Sequence, residues 1–402
     1  MTKQPNQNKY IIDITQQQIE TLKDKQILKT MIYSQSTKEP LYYCEIVDNV
    51  KCKENIVMYV IQQGKESEWY YSTTAGKLEV STILNAKRLI LISIDYHNTI
   101  KHIDDVYYDL QEVSKLFHYN GLKFKDKEQS INILTDENGV GSRKLMFEKD
   151  SELNGTVWVE EVWNDEDDGS YFRRLLFSGE RSLIQSEATI INDSVDIVRS
   201  AKTVNYFDGT VNCLRVFWKS TIEKNVCVLG GGVNIMANAI KYYMKNCSVT
   251  SVELDPVVYE SYLNCFVVDD LEINCVVGDG MEYVKGKEFD CIVIDVDNKV
   301  ESENDIAAPH PSFITEEAIK TLKKCVEKSD NGMIIFNIVA RDEKQQKKVI
   351  DKIEKHFKTL YKWESDEDVN ILLICFIDED VELFREDIDD DERFSNTVIQ
   401  LK

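Results

Sequence analysis

Five carboxylates and a run of glycines in the second half of the chain have the residue types and spacing to hold a ligand. Gly230-Gly231-Gly232 closes the apolar run Val226-Cys227-Val228-Leu229, and Glu253 and Asp255 follow a second run, Val249 to Val252. Gly278-Asp279-Gly280 and Asp295-Val296-Asp297-Asn298 follow two more. Glycines let a backbone turn tightly and pass close to a ligand, and a helix starting there points unpaired N–H groups at a bound carboxylate. An ionised Glu253 can accept from two vicinal ribose hydroxyls, and Asp279 from the exocyclic amine of adenine. Taken singly, each position is an ordinary loop at a strand end, where Asp and Gly are common. Their coincidence at four strand ends is what points to a nucleoside site.

The kind of nucleoside follows from what is missing. No G-x-x-x-x-G-K-[ST] loop is present, which disfavours ATP and GTP, and Ile235 stands where a dinucleotide fingerprint needs its third glycine. A mononucleoside cofactor such as S-adenosylmethionine fits better. Gly230, Gly231, Gly232, Glu253, Asp279 and Gly280 are its candidate binding residues. Asp295 and Asp297 are the candidate catalytic pair.

These residues need a scaffold, and the hydrophobic pattern supplies one. Strand candidates at 226–229, 249–253, 272–277, 290–295, 332–339 and 369–377 alternate with helical stretches, the mark of a parallel doubly wound sheet. Thr359 to Trp363 and the last run make an antiparallel hairpin at its edge. Residues 156–163, 171–177 and 182–188 read as an antiparallel β unit. In the N-terminal part, 42–47, 56–61 and 89–94 read as strands, and 104–117 as an amphipathic helix with Val106, Leu110, Val113 and Phe117 on one stripe. A helix is expected around Ile19 to Met31, and a linker or exposed loop over 119–152. The expected division is an accessory α/β region at 1–150, the β unit at 151–204, a Rossmann-like domain at 205–378 and a poorly ordered acidic tail at 379–402.

Composition bounds the partners. A net charge of −23 disfavours nonspecific nucleic-acid binding, which needs Lys and Arg against phosphate, and suits a basic protein or a cationic substrate; solubility alone is the bland explanation. The 10 cysteines form no C-x-x-C pair, so no metal site is expected, and Cys227, Cys275, Cys291 and Cys375 sit in strand-like runs as small core residues. That usage, with no signal-peptide core and no membrane-spanning run, predicts a cytoplasmic protein. His97, His102 and His118 read as surface or packing residues.

Gly230-Gly231-Gly232, Val252-Glu253-Leu254-Asp255, Asp279-Gly280 and Asp295 resemble the spermidine synthase superfamily, and the β unit with Ile184-Gln185-Ser186-Glu187 looks like its N-terminal hairpins. Residues 55–377 resemble more closely the C-terminal half of the elongation factor 1-alpha lysine and N-terminal methyltransferases. The matching segments are Gln62 to Trp69, Tyr171 to Leu175, Gln185 to Ala188, Asp295 to Lys299, Pro309 to Phe313 and Asn337 to Asp342. The resemblance implies a Rossmann-like seven-stranded S-adenosylmethionine-dependent methyltransferase sheet. It also implies transfer to the N-terminal α-amine of elongation factor 1-alpha or a similar protein. Glu253 and Asp279 would hold the cofactor, and Asp295 would face the acceptor amine.

Two departures bear on that reading. Val233 stands where polyamine synthases of the superfamily carry an Asp for the amine of decarboxylated S-adenosylmethionine, and Val233-Asn234 is an unusual continuation that predicts weakened cofactor binding. Asn205-Tyr206-Phe207-Asp208-Gly209 differs from the His-His-Lys-like stretch of the closer family, which leaves the acceptor open. The alternatives are an acidic, cofactor-poor binding module for a basic partner, and an aminopropyltransferase. Oligomeric state is left open.

Overall fold

The computed structural model describes residues 9–402 except 53, 99–101, 118–130, 137–138, 164–168, 219–222, 299–305, 341, 366–368 and 382–397. The chain divides into two compact units, one of 1–145 with 160–165 and 179–184, the other of 146–159, 166–178 and 185–402. Strands Arg143–Ser151, Gly155–Trp163, Tyr171–Phe177, Ile184–Ile191 and Ser194–Val195 lie side by side in sequential order in one five-stranded sheet.

In the first unit, six strands run in the order Tyr10–Ile12, Ile27–Ser34, Pro40–Asp48, Ala86–Ile94, Glu54–Val60, Ile131–Thr135. The first four pair antiparallel, and the last two join in parallel. Strand 86–94 shows why both faces are covered. Ile90, Ile92 and Ile94 pack with Val106, Leu110, Val113 and Phe117 of the 103–117 helical segment, while Leu89 and Leu91 pack with Val80 of helix Thr74–Ile83 on the other face. The expected helix at 19–31 is short: only Gln16–Glu20 is helical, and 27–34 is a strand whose inward positions include the polar Thr30 beside Ile32. The expected linker at 119–152 contains strands 131–135 and 143–151; the rest of its charged start, with His118 just before it, lies outside the described residues.

The second unit carries the site. After helix α1 (Asn205–Phe217) come β1 (Lys224–Leu229), α2 (Ile235–Tyr243), β2 (Cys247–Glu253), α3 (Pro256–Cys265), β3 (Asn274–Val277), α4 (Gly280–Val284) and β4 (Cys291–Ile294). There follow α5 (Glu316–Val326), β5 (Met333–Val339), α6 (Glu343–Glu354), β6 (Thr359–Glu364), β7 (Asn370–Phe376) and β8 (Val398–Gln400). The sheet order is β3-β2-β1-β4-β5-β7-β6-β8. β1 to β5 are parallel; β7, β6 and β8 are antiparallel additions. This is the mixed α/β architecture expected, with eight described strands rather than seven. The eighth comes from the tail that reads as disordered in the sequence: 398–400 pairs with β6, while 382–397 lies outside the described residues.

Alternation along β1 builds two cores. Val226 and Val228 enter one apolar cluster with α1 and α2, and Cys227 and Leu229 enter the other with α5 and α6. Side chains such as Phe336 and Phe376, with no exposed surface, each stabilise the fold by about 1.5–3 kcal/mol relative to exposure. Helix starts are set locally. Asp255 caps α3 ahead of Pro256, Asp279 caps α4 and Thr315 caps α5. The strand order reverses direction at β1, between β2 and β4, and so opens a crevice at the carboxyl ends of these three strands.

Candidate active site

A cleft of about 530 Å³ lies in that crevice, wholly within the second unit. All eight sequence-predicted residues line it: Gly230, Gly231, Gly232, Glu253, Asp279, Gly280, Asp295 and Asp297. No Lys or Arg is among its described lining residues. Such a wall attracts cations and offers phosphate no Lys or Arg.

The glycine turn is a matter of space. A Cβ on Gly230 would stand 2.0 Å from the backbone oxygen of Asp295, and one on Gly231 would stand 2.2 Å from Ser251 Oγ. Gly230 also has φ +88°, where a side chain is strained. Its N–H groups are already engaged, contrary to the expectation that they face a ligand carboxylate. Gly230 and Gly231 both donate to the Val252 carbonyl, and Gly232 donates to Glu253 Oε2 at 2.7 Å. The turn gives close approach, and its donors stitch β1 to β2.

Glu253 is half-buried, and its Oε1 also accepts the N–H of Asp255 at 2.9 Å. Burial raises its pKa, opposed by those two N–H groups. Both oxygens keep lone pairs for hydroxyl donors. Asp279 is exposed to the cleft and uses Oδ1 to accept the Glu282 N–H at 2.9 Å.

Asp295 is held from two sides. Its N–H donates to the Leu229 carbonyl, placing its side chain beside the glycine turn. Oδ1 accepts from Asn337 Nδ2 at 2.7 Å, and Oδ2 accepts from the Tyr206 hydroxyl at 3.2 Å. Asn337 is in turn oriented by Asn370, whose Nδ2 donates to Asn337 Oδ1 at 2.9 Å. A little of the side chain reaches the cleft, but protein surrounds the carboxyl. Burial, and then the charge of Asp297, push its pKa up to about 7 against the pull of the two hydrogen bonds. Asp297 is exposed and acts on Asp295 through its charge.

Val233 is 1% exposed and packs in the core with Val228, so it presents no group to an amine in the cleft. Asn234 is explained as well: it takes the left-handed conformation (φ 62°) that Asn tolerates, and its Oδ1 accepts from Ser251 Oγ at 2.5 Å. Tyr206, Asn337 and Asn370 are the residues that sequence reasoning missed. Two of them lay in stretches noted for other reasons, Tyr206 in the divergent 205–209 segment and Asn337 at the head of a matching one. Two members of matching segments, Lys299 and Arg341, lie outside the described residues.

No protein-family model matches the chain. Curated proteins do match over most of its length. The chain is similar to the eEF1A lysine and N-terminal methyltransferases. The Drosophila melanogaster homolog is 24% identical over 370 residues, covering 87% of this chain and 53% of that protein. The Xenopus laevis protein is 24% identical, covering 80% and 50%, and the Homo sapiens protein is 23% identical, covering 84% and 54%. The chain thus spans about half the length of the curated relatives it matches. Among solved structures, human methyltransferase-like protein 13 in complex with SAH aligns with TM-score 0.39 and 20% identity, covering 48% of this chain and 87% of that one. A probable spermidine synthase from Corynebacterium glutamicum aligns with TM-score 0.45 and 14% identity, covering 64% and 90%.

Proposed function

We propose that this chain is an S-adenosylmethionine-dependent protein methyltransferase that modifies the N-terminal α-amine of elongation factor 1-alpha or a similar protein in the cytoplasm. The observation that carries the proposal is Asp295, a half-buried acid held by Asn337 and Tyr206 at the strand end beside the glycine turn. The shared name of the relatives supports methyl transfer over the binding-module and aminopropyl-transfer readings.

The cleft suits the cofactor on its own chemistry. Gly230 and Gly231 let the turn pack directly against Asp295 and Ser251, which sets the acids beside it, and a wall of carboxylates without Lys or Arg among its described residues suits a sulfonium. Glu253 would hold the ribose hydroxyls, Asp279 the adenine amine, and Gly280 allows approach beside Leu229. When bound, S-adenosylmethionine supplies an electrophilic methyl group. The protein's task is then to hold a neutral amine in line, where proximity supplies much of the rate. An α-amine, with a pKa of roughly 7.7–8.0, is partly neutral near pH 7 and needs no strong base. Asp295 accepts a hydrogen bond from it, aims its lone pair and stabilises the positive charge that follows. Asp297 adds to the negative field. We assign 205–378 as the methyltransferase domain, 151–204 as its β unit and 1–150 as an accessory region.

Calorimetry with S-adenosylmethionine and its decarboxylated form tests the assignment. Binding of the first alone is the expected result. Preference for the decarboxylated form would favour aminopropyl transfer, and binding of neither would favour a binding module.

A further inference from the structure

The two acids that end β2 do different work. Glu253 lies at the cleft, held by the N–H groups of Gly232 and Asp255. Asp255, only 1% exposed, spends its carboxylate on protein donors. Oδ1 accepts the Val257 N–H at 2.8 Å, the cap of α3. Oδ2 accepts both Ser151 Oγ and Asn154 Nδ2, each at 2.5 Å. Ser151 Oγ itself accepts the N–H groups of Leu153 at 3.0 Å and Asn154 at 3.2 Å, so its single proton goes to Asp255. Leu153, Asn154 and Asp255 itself line the same cleft as Glu253 and the glycine turn.

We propose that Asp255 is a positioning residue that latches the turn at 151–154 as a fixed wall of the cofactor compartment, setting cofactor affinity through that turn rather than through a hydrogen bond of its own to the cofactor. The inference rests on the reading of this cleft as an S-adenosylmethionine site. A helix cap alone would need one acceptor, which Asn supplies as well as Asp. Asp255 instead meets three donors from two directions. An Asn there must aim its NH₂ either at the Val257 N–H or at Ser151 and Asn154, so one of its roles is lost in either rotamer. Only a carboxylate serves both.

The test is calorimetric binding of S-adenosylhomocysteine to the full chain. A Ser151→Ala/Asn154→Ala double variant, which leaves the α3 cap intact, should bind about tenfold more weakly, the scale of two lost hydrogen bonds. Asp255→Asn should weaken binding at least as much, and Ser151→Thr, which keeps the hydroxyl, should stay within twofold of wild type. In steady-state kinetics the double variant should raise KM for S-adenosylmethionine with kcat nearly retained. Asn154→Ala alone, at about threefold, is the milder probe if the double variant does not fold. Turn variants that fold and bind within twofold of wild type would overturn the latch. Absence of binding by the wild-type chain would instead overturn the cofactor reading.

Discussion

Asn337 donates to Asp295 across 42 residues of sequence, at 2.7 Å, from the strand next to the one that Asp295 ends. Because Asn370 fixes the Asn337 amide, the acid's Oδ1 has one permanent donor and one direction. Asn337→Leu should therefore lower turnover about tenfold or more, while S-adenosylhomocysteine affinity stays within twofold. It should also move the pH profile upward, since the lost bond lowers the Asp295 pKa. A downward move would show that Asn337 does not act through Asp295.

Asp295→Asn removes the acceptor that aims the amine. Turnover should fall about a hundredfold, on the scale of a lost general-base or positioning group, with cofactor affinity nearly intact. Collapse of cofactor affinity would make Asp295 a cofactor residue instead.

The raised pKa of Asp295 gives two signed consequences. In the free enzyme, kcat/KM should climb through about pH 7 as the acid ionises, below the amine's own rise near pH 8, and Asp295→Asn should leave only the amine's limb. For stability, the folded chain holds this proton where the unfolded chain, with an Asp pKa of about 3.9, has lost it. Stability from this group is thus greatest at low pH and falls as pH rises from about 4 to about 7. Denaturant midpoints of wild type and Asp295→Asn should converge at low pH and separate between about pH 4 and about 7, with the variant the more stable.

Gly230→Ala meets the Asp295 backbone at 2.0 Å in a left-handed conformation. The conformation alone costs on the order of 1–3 kcal/mol, and the backbone contact adds to it. Thermal unfolding should shift down by several degrees, and S-adenosylhomocysteine should restore little of the loss. A wild-type Tm would contradict the close approach.

In the first unit, Arg143 is buried between Glu66, which its Nη2 touches, and Glu160, whose Oε2 lies 2.9 Å from its Nε. Arg143→Met leaves the carboxylates of Glu66 and Glu160 without their cation, which should cost about 3–5 kcal/mol in denaturant unfolding. Adding Glu66→Gln and Glu160→Gln should recover part of it. No recovery would mean that Arg143 acts through packing on the Tyr96 ring, 4.2 Å away.

What was legible in the sequence was what parallel strands write most plainly. β1, β2 and β4 are largely buried, read as mostly apolar runs, and lead into residues of the cleft. The partners of Asp295 were hidden because Tyr206 and Asn337 meet it only after the sheet and α1 have folded. Strand 27–34 was hidden because an inward Thr breaks the apolar alternation, and β8 because three residues carry no periodicity. The donors of the glycine turn misled for a third reason. Sequence shows where N–H groups are, and only the neighbouring β2 shows that they are already used.

The most direct test of the central claim is transfer of a labelled methyl group from S-adenosylmethionine to purified elongation factor 1-alpha, followed by peptide mapping. The account predicts label on the N-terminal α-amine, lost with Asp295→Asn. Label at an internal lysine, or none with the wild-type chain, would contradict it.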